Sequence, residues 1–163
     1  MIRLARGLGA AVFLLVLLVA TSAGVGLAAR NGVLVIVAVP FAAVLVIVLR
    51  TLGATVERAG WALFTVWLGT TYLQTGAGME TALALVYVAL GLVGAFASPW
   101  AFVLAWAGHP FWDLLPRTLP PLLVDLPTAC LFFDGFIAIY LAWAIWNERW
   151  PIRAPRRDVA TQT

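Results

Sequence analysis

Residues 81–115 read TALALVYVALGLVGAFASPWAFVLAWAGHPFWDLL, an apolar stretch whose first acidic residue is Asp113. As one helix its roughly 35 residues would extend roughly 50 Å. The hydrocarbon core of a bilayer is only about 30 Å thick, so one crossing cannot hold it. Ser98-Pro99-Trp100 offers the division. Proline there either kinks a long helix or opens a new one, since it is favoured in a first helical turn. Length decides for two helices, one from Thr81 to Ala97 and one from Trp100 to Leu115.

Upstream lie three more apolar runs, Leu8 to Ala29, Val33 to Leu49 and Ala59 to Leu73; downstream lies a sixth, Leu126 to Trp146. The first follows Arg3 and Arg6 as a secretory signal would. It is long enough to span a bilayer and shows no clean cleavage site, so we read a retained helix. Its Ala20, Gly24 and Ala28, spaced by four, form a small face for close helix packing. Gly91, Gly94 and Ala95 suggest the same in the fourth run. Arg30-Asn31-Gly32 is a tight turn, Gln74 to Glu80 another, and Pro40 is a tolerated kink in the second run. Trp61, Trp67 and Tyr72 are expected as interfacial anchors, and the Trp and Phe residues in general as lipid-facing or interfacial.

Composition agrees. Of 163 residues, 64% are hydrophobic and 10% charged, with mean hydropathy +1.03. A soluble domain is nearer half apolar and a quarter charged, so lipid must cover much of this surface. The expected fold is all-α: a polytopic membrane bundle of about six transmembrane helices in three hairpins. Residues 1–150 form the single transmembrane domain, and 151–163 a polar cytoplasmic tail expected to be disordered.

The formal charge of +3 and pI near 9.8 do not point to nucleic acid. The arginines stand at the ends of apolar runs and in the tail. Six crossings collect Arg3, Arg6, Arg50, Arg58, Arg149, Arg153, Arg156 and Arg157 on one side and leave Arg30 and Arg117 on the other. Five would send the arginine-rich tail outward, against the positive-inside tendency. We therefore expect the inner (cytoplasmic) membrane, with both termini in the cytoplasm. The bilayer is the expected partner, with a protein partner or homo-oligomer left open.

Several chemistries are excluded. Lysine is absent, so no retinal Schiff base can form. One cysteine, Cys130, and one histidine, His109, permit neither an internal disulfide, a His-rich metal box nor bis-histidine haem ligation. There is no HExxH, and neither Ser22 nor Ser98 sits in a nucleophile elbow.

The informative segment is residues 109–140, HPFWDLLPRTLPPLLVDLPTACLFFDGFIAIY. His109 and Asp113 are four apart, as are Cys130 and Asp134, so each pair shares a helix face. Pro120-Pro121 marks the turn between the two helices. Folding about it brings His109 level with Asp134, Asp113 with Cys130, and Arg117 with Asp125. His109 and Asp134 then lie roughly 10–15 Å into the membrane. An aspartate at that depth costs about 2.5–3.5 kcal/mol on insertion scales, and a shared proton with an imidazole would lower that cost.

The candidate ligand- or proton-binding residues are accordingly His109, Asp113 and Asp134, with Trp112 and Cys130 in support. The bland alternatives stand beside them. Asp134 can serve as interhelical glue, Cys130 as a small buried apolar residue, and Arg117 with Asp125 as a surface pair worth about 0–1 kcal/mol. His109, Asp113 and Asp134 could be three metal ligands with an open position. Their spacing matches no recognised metal signature, so neither metal nor cofactor is expected.

The pattern HxxWD followed by PxxCxxxD (His109, Trp112, Asp113, Pro127, Cys130, Asp134) resembles a group of small uncharacterised bacterial integral membrane proteins. In that group further histidines often follow the Trp-Asp pair; here Leu115 and Pro116 stand there instead, which weakens a metal inference. The resemblance covers the last third of the chain and implies which residues matter, not what they do. Three classes follow, in order. The first is binding or transport of a proton, cation or small polar ligand; the second an accessory protein held together by its polar residues. The third is an enzyme acting on a lipid or isoprenoid, with His109 as acid/base and Asp113 orienting it.

Overall fold

A computed structural model of the chain describes residues 2–70, 73, 78–115 and 119–150, main chain only for 2–6. It contains six α-helices: α1 (Ile2–Arg30), α2 (Leu34–Thr51), α3 (Ala54–Leu68), α4 (Gly78–Phe96), α5 (Trp100–Asp113) and α6 (Leu126–Trp146). A 3-10 turn, Pro121–Leu123, precedes α6, and no strand occurs among the described residues. The chain is an all-α, polytopic membrane bundle. Four helical stretches, Gly7–Arg30, Leu34–Thr51, Gly78–Phe96 and Pro121–Trp146, are long and apolar enough to cross a bilayer. At 15 and 14 residues, α3 and α5 are shorter.

The helix breaks have local causes. α1 stops where Asn31 Nδ2 donates to the Leu27 carbonyl and Gly32 takes φ +65°, a left-handed conformation that glycine enters without a Cβ clash. Gly53, at φ +83°, separates α2 from α3 in the same way. Between α4 and α5 the amides of Ala97 and Ser98 both close onto the Val93 carbonyl, and Pro99 then caps α5. Residues 81–115 are thus two helices, as their length requires.

Lipid supplies no hydrophobic drive between helices, so close packing of small residues must hold them. Gly91 lies against Val66 and the Ala62 carbonyl of α3, and Gly94 against the Phe102 ring of α5. α2 and α6 pack along their length, burying Ala38 and Ala42 from one and Ala129, Ala138 and Ala144 from the other. The small face of α1 is only partly used: Gly24 meets the Phe41 ring, while Ala20 is exposed. The α3–α4 and α5–α6 hairpins are intimate. α1 touches α2, α3 and the 3-10 turn sparsely, and α2 packs chiefly on α6.

The aromatic expectation needs correction. Trp61, Phe64, Phe102 and Trp106 are fully buried, and Trp112 and Trp150 nearly so. Trp61 stands edge-on to Trp106, ring centroids 5.9 Å apart, and the Trp106 indole N–H donates to Thr65 Oγ1 at 3.0 Å. The buried face of α3 starts at Glu57 and continues through Gly60, Trp61, Phe64, Thr65 and Leu68. Every helix except α3 carries large exposed apolar residues, so α3 is the enclosed one. Trp61 is therefore a core residue, not an interfacial anchor. Tyr72, the Arg117 partner proposed for Asp125, and the tail 151–163 lie outside the described residues.

Candidate functional site in the last hairpin

The α5–α6 hairpin brings the expected residues together. His109 Nδ1 lies 2.7 Å from Asp134 Oδ2 in a buried hydrogen bond, and 3.6 Å from Asp113 Oδ2 on its own helix. Cys130, one turn before Asp134 on α6, completes the group. One ligand-type atom from each of His109, Asp113, Cys130 and Asp134 falls within 4.8 Å of the others. His109 and Asp134 are 0% exposed, Asp113 and Cys130 8%. The two pairs at i and i+4 face each other, with His109 level with Asp134 as folding about Pro120-Pro121 implies.

A shell of aromatic side chains fixes the imidazole. Tyr87 of α4 stands edge-on to the His109 ring at 5.8 Å, and Trp112 edge-on at 5.2 Å. Each is anchored in turn. The Tyr87 hydroxyl donates to the Ala105 carbonyl at 3.0 Å, and the Trp112 indole N–H donates to Glu80 Oε2 at 2.7 Å. Edge-on aromatic contacts are favourable and directional, so the ring's orientation is set from two sides. Trp112 supports the site through Glu80, which is 2% exposed in the first turn of α4. A carboxylate there also suits the positive end of the helix dipole.

Glu80 and Tyr87 are residues that the sequence reading missed. The two glycines of Gln74 to Glu80 make that stretch read as a turn, with Glu80 at its end. The signal was spacing: Glu80, Ala84, Tyr87, Gly91 and Gly94 are the buried stripe of α4, separated by four, three, four and three residues. That is the period of a single helix face.

A cavity of about 600 Å³ reaches the site from the other side of α6. Its walls come from α1, α2, the end of α3, the 3-10 turn and α6, and are mostly apolar, with Val37, Phe41, Leu126 and Phe133 among them. Cys130 and Asp134 contribute to its lining, as do Ser22 and Thr70. Asp134 Oδ1 has no hydrogen-bond partner among the described residues and is buried. Asp134 therefore offers one carboxylate oxygen to His109, and the other has no donor among the described residues.

No protein-family model, curated protein or solved structure matches this chain.

Proposed function

We propose that this protein binds a single-chain amphiphile within the membrane, with the tail in the cavity and a hydrogen-bond-donating head at the His109–Asp134 centre. The observation that supports the reading is Asp134, which is among the residues lining a mostly apolar cavity and whose buried Oδ1 has no hydrogen-bond donor among the described residues. A buried polar group left unsatisfied costs about 1–3 kcal/mol, and a ligand hydroxyl or amine would recover that. The volume lies within the range of roughly 300–1,000 Å³ typical of small-molecule sites. A hydrated ion as the passenger is disfavoured by apolar walls, which cannot replace its water. An accessory role, with the hairpin merely stapled, explains Oδ2 but not Oδ1. The membrane is the cytoplasmic one and both termini are cytoplasmic, because Arg50, Arg58 and Arg149 gather at one end of the bundle and Arg30 lies at the other. Reporters fused to the two termini read that sidedness.

The native thiol tests the ligand reading. Cys130 is the chain's one cysteine and lines the cavity. In lipid nanodiscs containing a chelator, N-ethylmaleimide alkylates Cys130. Hexadecanol slows the reaction, hexadecane does not, and Asp134→Leu abolishes the difference between them. Equal protection by alcohol and alkane would reduce the site to an apolar void, and protection by neither would remove the ligand.

A further inference from the structure

The two helices of the last hairpin each present a pair of metal-ligating side chains one turn apart, and the four converge. We propose that His109 Nδ1, Cys130 Sγ and one carboxylate oxygen each of Asp113 and Asp134 bind a divalent transition-metal ion of zinc's class. The proposal goes beyond amphiphile binding: it shares His109 and Asp134 with that reading, but needs the four donors and not the cavity.

Geometry comes first. Tetrahedral zinc with bonds of about 2.0–2.3 Å holds its ligand atoms roughly 3.3–3.8 Å apart. The observed donors all lie within 4.8 Å of one another, with His109 Nδ1 at 3.6 Å from Asp113 and 2.7 Å from Asp134. An ion at the centre requires the outer donors to close and the His109–Asp134 contact to open, each by about an ångström or less. Side-chain rotation alone supplies shifts of that size.

Chemistry points the same way. Thiolate and imidazole together select zinc and its neighbours over magnesium or calcium, which take oxygen. Two carboxyl groups and a thiol brought this close cannot all ionise without repelling one another, and a dication among them turns that repulsion into attraction. Binding displaces the protons carried by the thiol, the carboxyl groups and Nδ1, leaving the imidazole proton on Nε2. Asp134, which the amphiphile reading also uses, is fully buried, and its Oδ1 lacks a hydrogen-bond partner among the described residues. The edge-on rings of Tyr87 and Trp112 hold the imidazole plane. The spacing brings His109, Asp113 and Asp134 into view as possible ligands; what it does not show is that Cys130 joins them as the fourth.

Cobalt(II) and zinc(II) are the probes. The purified, chelator-stripped protein takes up one cobalt per chain and develops a thiolate-to-cobalt charge-transfer band with the intense visible bands of a tetrahedral ion. Cys130→Ser removes the charge-transfer band, and His109→Ala or Asp134→Asn removes stoichiometric binding. Zinc slows alkylation of Cys130 about tenfold or more, since a metal-bound thiolate is a poor nucleophile. Cobalt uptake without the thiolate band, or zinc without effect on alkylation, would overturn the site using wild-type protein alone. Protection by hexadecanol without metal uptake sinks only the ion; metal uptake without that protection sinks only the amphiphile.

Discussion

Glu57 is fully buried at the start of α3 and is held from two later parts of the chain. The Tyr140 hydroxyl of α6 donates to one carboxylate oxygen and Arg149 Nε to the other at 2.8 Å. Arg149 also donates from Nη2 to the Arg50 carbonyl at 3.0 Å, and Arg50 lies over the Trp143 ring at 4.9 Å. A buried carboxylate with two donors and a counter-charge is well compensated. Because the Arg149 side chain is 29% exposed, water screens part of that attraction. A double-mutant cycle of Glu57→Gln and Arg149→Met, read by thermal unfolding in detergent, should give a coupling of about 0.5–2 kcal/mol. Zero coupling would mean that Arg149 acts through its hydrocarbon stem alone. Glu57 was legible by spacing and illegible by charge. It heads the buried face of α3, yet an acid between two arginine-bearing ends reads as connector. His109 and Asp134 were legible because ionisable groups are conspicuous deep in apolar runs and the twin prolines fix where the chain folds back.

At the scale of elements, close approach of α3 and α4 depends on what is missing from Gly69. A Cβ there would overlap Cβ of Tyr87, an atom tied to the α4 backbone and unable to swing aside. Gly69 has φ −63°, so its role is space and not backbone conformation. Gly69→Ala should therefore lower stability by about 1–3 kcal/mol, the usual cost of forced overpacking. It should also shift Tyr87, and with it the His109 ring. Gly135 is the control. Nothing lies within 4 Å of a Cβ built on it, so Gly135→Ala should be neutral or gain up to about 1 kcal/mol of helix propensity. Equal effects of the two substitutions in thermal unfolding would refute the packing argument. The helix count was legible because run length and Pro99 speak for themselves. Pairing was less so: the sequence suggested three equal hairpins, but α2 has small residues facing α6 as well as a short turn to α1. Which contact dominates depends on surface complementarity between distant segments.

For the whole molecule, thickness sets the balance between bundle and bilayer. With 18, 15, 19 and 14 residues, α2, α3, α4 and α5 extend about 27, 22, 28 and 21 Å. Against a hydrocarbon core of about 30 Å, α2 and α4 are long enough to cross, while α3 and α5 fall short. The two shortest carry Glu57 and the His109–Asp113 pair, so a thick bilayer would draw those charged helix ends toward hydrocarbon. α1 and α6 are long enough to tilt, but α3 is enclosed by its neighbours and cannot adjust independently. Mismatch costs fractions of a kcal/mol per ångström, and here it falls on the helices that hold the buried acids. Unfolding temperature should accordingly be higher in dimyristoleoyl-phosphatidylcholine than in dieicosenoyl-phosphatidylcholine, with intermediate chain lengths ordered between them. Alkylation of Cys130, in the N-terminal half of α6, should become faster in the thicker lipid as the hairpin is strained. A melting temperature that rises with chain length would show that the short helices are not the ones matched to the bilayer.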